Sequence, residues 1–554
     1  MSDTDGKTPN ESAHDRLARQ AATLLWRAGD EPERVMPSKG CDDLTQQLLD
    51  AIAANPDDDA PRLVYADHLQ RQGDPRGEFI AVQVALAAEP DSPRRGELGA
   101  RARELLRLHE NQWLEELGLH WSQARHFERG FIETVSLMRR SALLFGEGLL
   151  ARTPLRRLEL TGVGDAEMQE LVSGTLFSRI TSLRLDSMRI SDEGALLLAS
   201  TPHLSRLQHL ELHGTEVSGE GARGLINSPH RPRLKRLELL GTPLGIEDMR
   251  ALSGATGLPR LTTLRLSRNE VGDEGLRVLA ASPYLSRLEK LAVADNDLGA
   301  DGVEALARTG QLAALTSLDL SGNPLRPEGA RTLATAAWLA NLKKLKLVVT
   351  LIGGEGVEAL ASSPHLARLE ELSLAANGLG DTGALALAGA ASATRLRVLA
   401  LGSNGIGPEG VSALARSWVL ASVEHLGLKG NSLGPEGARA LADAPCRRLQ
   451  SLDLENCGIG AEGALALVRS PLVAHLKSLD LDSNGIGDAG ARAIAGSPLL
   501  SGLERLMLGR NGIGPEGARA LVESPYLPRF MLLGFKQNPL DGEALSIFKG
   551  RFDL

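Results

Sequence analysis

Residues 396–417 read LRVLALGSNGIGPEGVSALARS, and the same frame recurs along most of the 554-residue chain. LxxLxL, two further residues and then Asn or a substitute start at Ile180, Leu207, Leu234, Leu261, Leu288, Leu315, Leu342, Leu369, Leu396 and Val423, each 27 residues after the last. After one 26-residue step the frame resumes at Leu449, Leu476, Leu503 and Phe530, and a degenerate first copy starts at Leu155. These 15 copies cover nearly three quarters of the chain, and a fixed period of this length marks a solenoid. Within a copy the pattern changes period. Leu399-Ala400-Leu401 alternates at two, which predicts a short strand that buries its leucines. Val411, Leu414 and Ala415 then recur at helical spacing, with Pro408 suited to a first helical position. Pro283, Pro364, Pro471, Pro498 and Pro525 are expected to end the helix of their copies. Each copy is therefore strand, turn, helix and return loop, and closes its core only against its neighbours.

The copies resemble leucine-rich repeats of the ribonuclease-inhibitor-like subfamily, whose motif is LxxLxLxxN followed by a full helix. Strands stack about 4.8 Å apart and helices about 8–10 Å apart, so such an array must curve with its parallel sheet inside. The expected fold is an α/β solenoid: a leucine-rich-repeat horseshoe, concave parallel sheet and convex helices, preceded by a small helical domain. The motif Asn stands at Asn269, Asn296, Asn323, Asn377, Asn404, Asn431, Asn484, Asn511 and Asn538, with Cys457 replacing it once and Met188, Thr215, Thr242 and Thr350 elsewhere. The resemblance implies that this side chain hydrogen-bonds turn backbone. That is a structural ladder, since a buried backbone group left unpaired costs about 1–3 kcal/mol.

Bulk composition agrees with an array built from small and aliphatic residues: 42% of residues are hydrophobic but only 3% aromatic. The net charge of −9 sits mostly at the front, where residues 1–150 hold 18 basic and 26 acidic residues, leaving 43 and 44 for the rest. Near-neutral repeats lack the electrostatic footprint of nucleic-acid binding. Three cysteines, Cys41, Cys446 and Cys457, make no disulfide framework and suit a reducing compartment. The opening residues have no basic n-region and no apolar h-region, and no segment reaches about 18 uncharged apolar residues, so a soluble cytoplasmic protein without membrane contact is expected.

In domain terms, residues 1–40 read as a disordered tail with at most a short helix over 17–26, and residues 41–128 as a helical domain. The first helix carries Leu44, Leu48, Leu49 and Ile52; Pro61 opens a second with Leu63, Val64 and Leu69; a third runs over 78–88 and a longer one over 94–117. Residues 56–80, PDDDAPRLVYADHLQRQGDPRGEFI, resemble the repeat-companion domain found at the front of bacterial repeat proteins, with His68 where that domain typically has Trp. Residues 129–154, beginning RGFIETVSL, are expected to seal the first repeat as an N-terminal cap. The repeats proper occupy 155–529, and 530–554, rich in Phe530, Phe535, Phe548 and Phe552, form the last repeat and C-terminal cap.

Nothing points to an enzyme. GxGxxG starts at Gly378, Gly405, Gly458, Gly485 and Gly512, each after a strand and before a helix. Five copies cannot all hold a dinucleotide, Pro408 and Pro515 remove donors, and a regular solenoid has no sheet switch point. His209, Glu211 and His213 form HxExH on one strand, but i and i+4 lie about 13 Å apart there, too far for one zinc. No Ser-His-Asp or Cys-His set can be placed together. No cofactor or metal is expected.

The residues between the leucines project into the bowl without structural obligation. Copy eight supplies Lys344, Lys346 and Val348; copies nine and ten supply Ser373, Ala375, Val398, Ala400 and Gly402; copies twelve and thirteen supply Asp453, Glu455, Asp480 and Asp482. A basic strand, a bald middle and an acidic patch are expected to bind an unidentified protein partner on the concave face, as a non-catalytic scaffold of unknown oligomeric state. Arg505 is the expected counter-charge for the acidic patch. The alternative implied by resemblance is a GTPase activator like that of the eukaryotic nuclear-transport GTPase, whose repeats are similar.

Overall fold

The computed structural model describes residues 43–88, 93–120, 123, 127–186, 189–255, 258–529 and 531–540. The expected tail over 1–40, Cys41, Met188, Phe530, Phe548 and Phe552 lie outside the described residues. The chain divides into two compact units, Met1–Trp121 and Ser122–Leu554.

The first unit is helical, with α1 at Asp43–Ala54, α2 at Ala60–Arg71, α3 at Pro75–Ala88 and α4 at Arg95–Glu116. Pro61 sits in the first turn of α2, and Gly73 takes a φ of +75° where the chain reverses into α3. Gly77 lets α3 press on α2, because a Cβ there would lie 2.4 Å from the Ala66 carbonyl oxygen. The core gathers Ile52, Tyr65, Leu69, Phe79, Ile80, Leu105 and Trp113. Phe79 and Trp113 meet with ring centroids 5.0 Å apart. The expected apolar face of α2 needs correction: Leu63 and Val64 are exposed, and the buried face is Arg62, Tyr65, Ala66 and Leu69. Arg62 is buried at the i, i+3, i+4, i+7 spacing of that face, and its guanidinium donates to the Pro56 carbonyl at 2.9 Å. Leu44 and Leu108 are likewise exposed.

The second unit opens with a short hairpin, β1 at Phe127–Glu128 and β2 at Phe131–Ile132, which pair antiparallel. Sixteen strands follow in one parallel sheet in strict chain order. They are β3 at Thr134–Met138, β4 at Arg157–Thr161, β5 at Ser182–Asp186, β6 at His209–His213, β7 at Arg236–Leu240, β8 at Thr263–Arg265, β9 at Lys290–Ala292 and β10 at Ser317–Asp319. The rest are β11 at Lys344–Lys346, β12 at Glu371–Ser373, β13 at Val398–Ala400, β14 at His425–Gly427, β15 at Ser451–Asp453, β16 at Ser478–Asp480, β17 at Arg505–Met507 and β18 at Leu532–Gly534. The strand expected to seal the first repeat is β3, register-paired with β4 and followed by its own helix at Arg139–Arg152.

Each later strand up to β17 is followed by a helix of eight to ten residues, from Asp165–Ser173 to Pro515–Glu523, on the side away from the exposed sheet face. Leucines of strand and helix meet between the layers: Leu399, Leu401, Val411 and Leu414 are each 1% exposed or less. Each such burial contributes about 1.5–3 kcal/mol, and Leu399→Ala would cost about 2–5 kcal/mol. The SP prolines do more than end helices. Pro283, Pro364, Pro471 and Pro498 each open a short 3-10 turn that carries the chain back toward the sheet.

The motif asparagines form a buried spine beneath the turns. Asn404 donates through Nδ2 to the carbonyls of Leu374 at 3.0 Å and Leu401 at 2.9 Å, while its Oδ1 accepts the N–H of Asn377 at 2.8 Å. The same bonds join Asn431 to Asn404, Asn511 to Asn484, and Asn538 to Asn511. Asn269, Asn296, Asn323, Asn377 and Asn484 donate to the carbonyl 30 residues earlier in the same way. Thr350 keeps part of the pattern, its hydroxyl bonding Leu347 and Asn377, whereas the hydroxyls of Thr215 and Thr242 have no partner. Cys457 places its sulfur 3.3 Å from the Leu428 carbonyl.

Candidate functional site

The period-two strands send one set of side chains into the core and the other onto the exposed inner face, where strand register stacks them in rows. Asp453 of β15 and Asp480 of β16 are register partners. Each accepts only a local N–H at its Oδ1, from Glu455 and Asp482 respectively, both at 3.0 Å. Neither forms an ion pair among the described residues. Burial first, then the charges of Asp482, Asp453 and Glu455, push the Asp480 carboxyl up to about 6, against the opposing effect of the Asp482 N–H. Glu455 and Asp482 differ from that pair. Glu455 takes Lys429 at 2.5 Å and Arg510 at 2.9 Å, and Asp482 accepts the Gly509 N–H at 2.6 Å with Arg510 at 4.0 Å. The counter-charge expected from Arg505 comes instead from Arg510: Arg505 stands opposite Ser478, in another row of the sheet. The hydrogen bond to Glu455 raises the Lys429 ammonium pKa above its ordinary value.

The expected basic strand of copy eight is neutralised in place. Lys344 meets its register partner Glu371 at 2.6 Å, and Lys346 meets Asp319 at 3.9 Å. Beside them Val348 continues into Val349 and Leu351, whose φ values are +56° and +57° and whose side chains are half exposed. At these two turn positions other copies carry residues such as Ser403, Asn456 and Arg510, or glycines such as Gly405 and Gly458, in the same left-handed region. Val398 and Ala400 of β13 and Ser373 of β12 make the small-residue floor next to this turn.

The near end of the inner face carries a network that the spacing argument on HxExH did not reach. Glu238 of β7 is the register partner of Glu211 on β6, and it is 5% exposed. His213 Nε2 lies 3.4 Å from Glu238 Oε2. Arg236 reaches Oε1 of Glu211 at 3.3 Å and Oε1 of Glu238 at 2.5 Å, and Arg265 reaches the latter at 3.2 Å. Burial alone would raise the Glu238 pKa, but His213, Arg265 and Arg236 outweigh it and hold the carboxyl below its usual range. Ligand atoms of Glu211, His213 and Glu238 all lie within 4.8 Å of one another. His209, four residues from His213, is not in that cluster.

At two of the five glycine motifs, those starting at Gly405 and Gly512, a carboxylate of the preceding copy already sits at the helix start. The N–H groups of Gly407 and Gly410 both donate to Asp381 Oδ1 of the preceding copy, at 2.7 and 2.9 Å. Asp488 serves Gly514 and Gly517 at 2.7 and 2.9 Å. A phosphate at these helix starts would have to displace a carboxylate already there. Asp165 and Asp192 act alike on Ser191 and Gly194 and on Ser218 and Gly221. This relay was missed from sequence; its signal is Asp at the second residue before the helical glycine in one copy, followed by GPEG or its like in the next. Cys446 and Cys457 are buried free thiols, both raised by burial to about 11, and so unfit as nucleophiles.

A protein-family comparison finds the same repeat. The leucine-rich-repeat profile matches residues 258–280, 286–307, 313–334, 365–388, 393–415, 419–442, 446–468, 474–495 and 503–522. The chain carries leucine-rich repeats, and copy eight falls between the third and fourth matched segments. No curated protein matches the chain. Among solved structures, an internalin from Listeria monocytogenes is 17% identical with a TM-score of 0.35, covering 59% of this chain and 91% of its own. The yeast Rad7 and Elc1 complex contributes a chain 17% identical with a TM-score of 0.41, covering 83% of this chain and 94% of its own. None of these comparisons points to an enzymatic family. No helix among the described residues is long and apolar enough to cross a membrane.

Proposed function

We propose that the protein is a non-catalytic scaffold that binds a partner protein on the inner face of its repeats, with Asp453, Glu455, Asp480 and Asp482 receiving a basic segment. The observation that carries this reading is the Asp453–Asp480 pair: two carboxylates in register on adjacent strands with no cation paired to either. Like charges placed directly across strands destabilise a sheet, and among the described residues no ion pair offsets this one as Arg510 and Lys429 offset its neighbours; Lys429 acts on both aspartates only through longer-range attraction. A basic partner segment would. Sixteen strands about 4.8 Å apart offer far more than the roughly 800 Å² per partner that a specific interface requires. Lys344, Lys346, Val348 and Val398 lie on the same face and would flank the bound segment. In this reading the array is of the ribonuclease-inhibitor-like type, the helical unit is a bacterial repeat-companion domain, and the protein works in the cytoplasm, where Cys446 and Cys457 stay reduced.

The test is capture from native lysate with the intact chain and with the Asp453→Lys, Asp480→Lys double variant. The variant should fold normally and lose partners, chiefly through slower association at low salt. An identical set of captured proteins at low salt would remove the patch from the interface.

A further inference from the structure

Independently of that reading, the geometry points to a divalent-cation site of the zinc class on the inner face at β6 and β7, formed by Glu211, His213 and Glu238. Two residues i and i+2 on one strand face the same way about 6.8 Å apart, and a register partner on the next strand lies about 4.8 Å away. Glu211, His213 and Glu238 occupy those three corners, and their ligand atoms converge to within 4.8 Å of one another. A tetrahedral zinc with bonds of about 2.0–2.1 Å separates its ligand atoms by roughly 3.4 Å. The His213 Nε2 to Glu238 Oε2 distance is already 3.4 Å, so one edge of the tetrahedron is in place. The Glu211 carboxylate has to close by a little over an ångström, which rotation of its side chain allows.

The second oxygens support the arrangement. Arg236 makes ion-pair contacts with Oε1 of both glutamates and Arg265 with Oε1 of Glu238, while Arg184 stands 4.0 Å from Glu211 Oε2 and Glu238 Oε2 is turned toward the imidazole. Carboxylates that bind a metal with one oxygen are commonly fixed through the other. With Arg184 beside Glu211, three guanidinium groups face the two carboxylates, so a bound dication adds to a net positive charge. That lowers affinity relative to a site without them and favours hydroxide or a carboxylate in the position that the protein leaves open. Calcium and magnesium fit poorly, because both want six or more oxygens and one ligand here is an imidazole nitrogen.

The test is calorimetric titration of zinc chloride into the intact, chelator-stripped chain. Wild type should bind one zinc saturably, and zinc should raise its unfolding midpoint. His213→Gln should weaken binding at least tenfold and abolish the midpoint shift while leaving the Arg236–Glu238 pair intact. Glu238→Gln should do the same, and His209→Gln should change affinity less than twofold. If Glu238→Gln fails to fold, His213→Gln with its His209→Gln control still decides. Absence of saturable binding to wild type, or equal binding by His213→Gln, overturns the site.

Discussion

Asn404→Ala removes three hydrogen bonds, and the structure says what each loss costs. The Leu374 carbonyl also accepts from Asn377 Nδ2, and the Leu401 carbonyl also accepts from Asn431 Nδ2, so each keeps one of two partners. The N–H of Asn377 loses its acceptor, Asn404 Oδ1, and is left buried and unpaired. The unpaired donor costs about 1–3 kcal/mol, and the two weakened carbonyls add about 0.5 kcal/mol each, for a total of about 2–4 kcal/mol. Repeat arrays need not unfold in one step, so the sharper assay is native-state hydrogen exchange at the Asn377 amide alongside urea unfolding. A loss of 2–4 kcal/mol should speed exchange there by about 30- to 1,000-fold, with little change in copies far along the array. Unchanged protection at Asn377 together with an unchanged urea midpoint would refute the account of the spine.

Asp381→Ala should destabilise the array by about 1.5–3 kcal/mol, because the Gly407 and Gly410 N–H groups lose a shared charged acceptor; thermal unfolding against Asp381→Asn, which keeps an oxygen, checks this. Cys457→Asn should stabilise by about 1 kcal/mol by restoring two amide donors to the spine, and a lowered urea midpoint would contradict it. Asp480 has a raised carboxyl pKa, so the unfolded chain holds fewer protons at this site and stability is lost as pH rises from about 4 through about 6. Asp480→Asn should therefore stabilise at pH 7.5 by about 1–2 kcal/mol, allowing for solvent screening, and by much less at pH 4, as read from unfolding midpoints at both.

The architecture was readable because one 27-residue frame repeats the same local choice: two buried leucines, a buried Asn and a helix that faces them. What escaped the sequence depends on pairings between copies. Asp381 reads as an ordinary helix-start residue until its neighbours at Gly407 and Gly410 are known to lie 26 and 29 residues on. Glu238 joins His213 only through strand register, so an argument confined to HxExH could not find it. Arg510 displaces Arg505 as the counter-charge because the row matters as well as the face: Arg505 shares the exposed face but lies in the row of Ser478, two residues before Asp480, while Arg510 leaves the turn at a φ of +54° toward Glu455. In the helical unit Leu63 and Val64 misled because a fully buried arginine holds the place where an aliphatic residue was expected.

The spine has a mechanical consequence. A pull along the solenoid axis loads the junctions between copies in series, and each junction resists through its strand pair and its side-chain amides acting in parallel. From Asn269 to Asn538 the amide share is present at nearly every junction, but at Thr215 and Thr242 the hydroxyls engage nothing. Under force the array should therefore lengthen in steps that begin among copies three and four, each step releasing one 27-residue length of chain, while the copies beyond Asn269 hold until the load rises further.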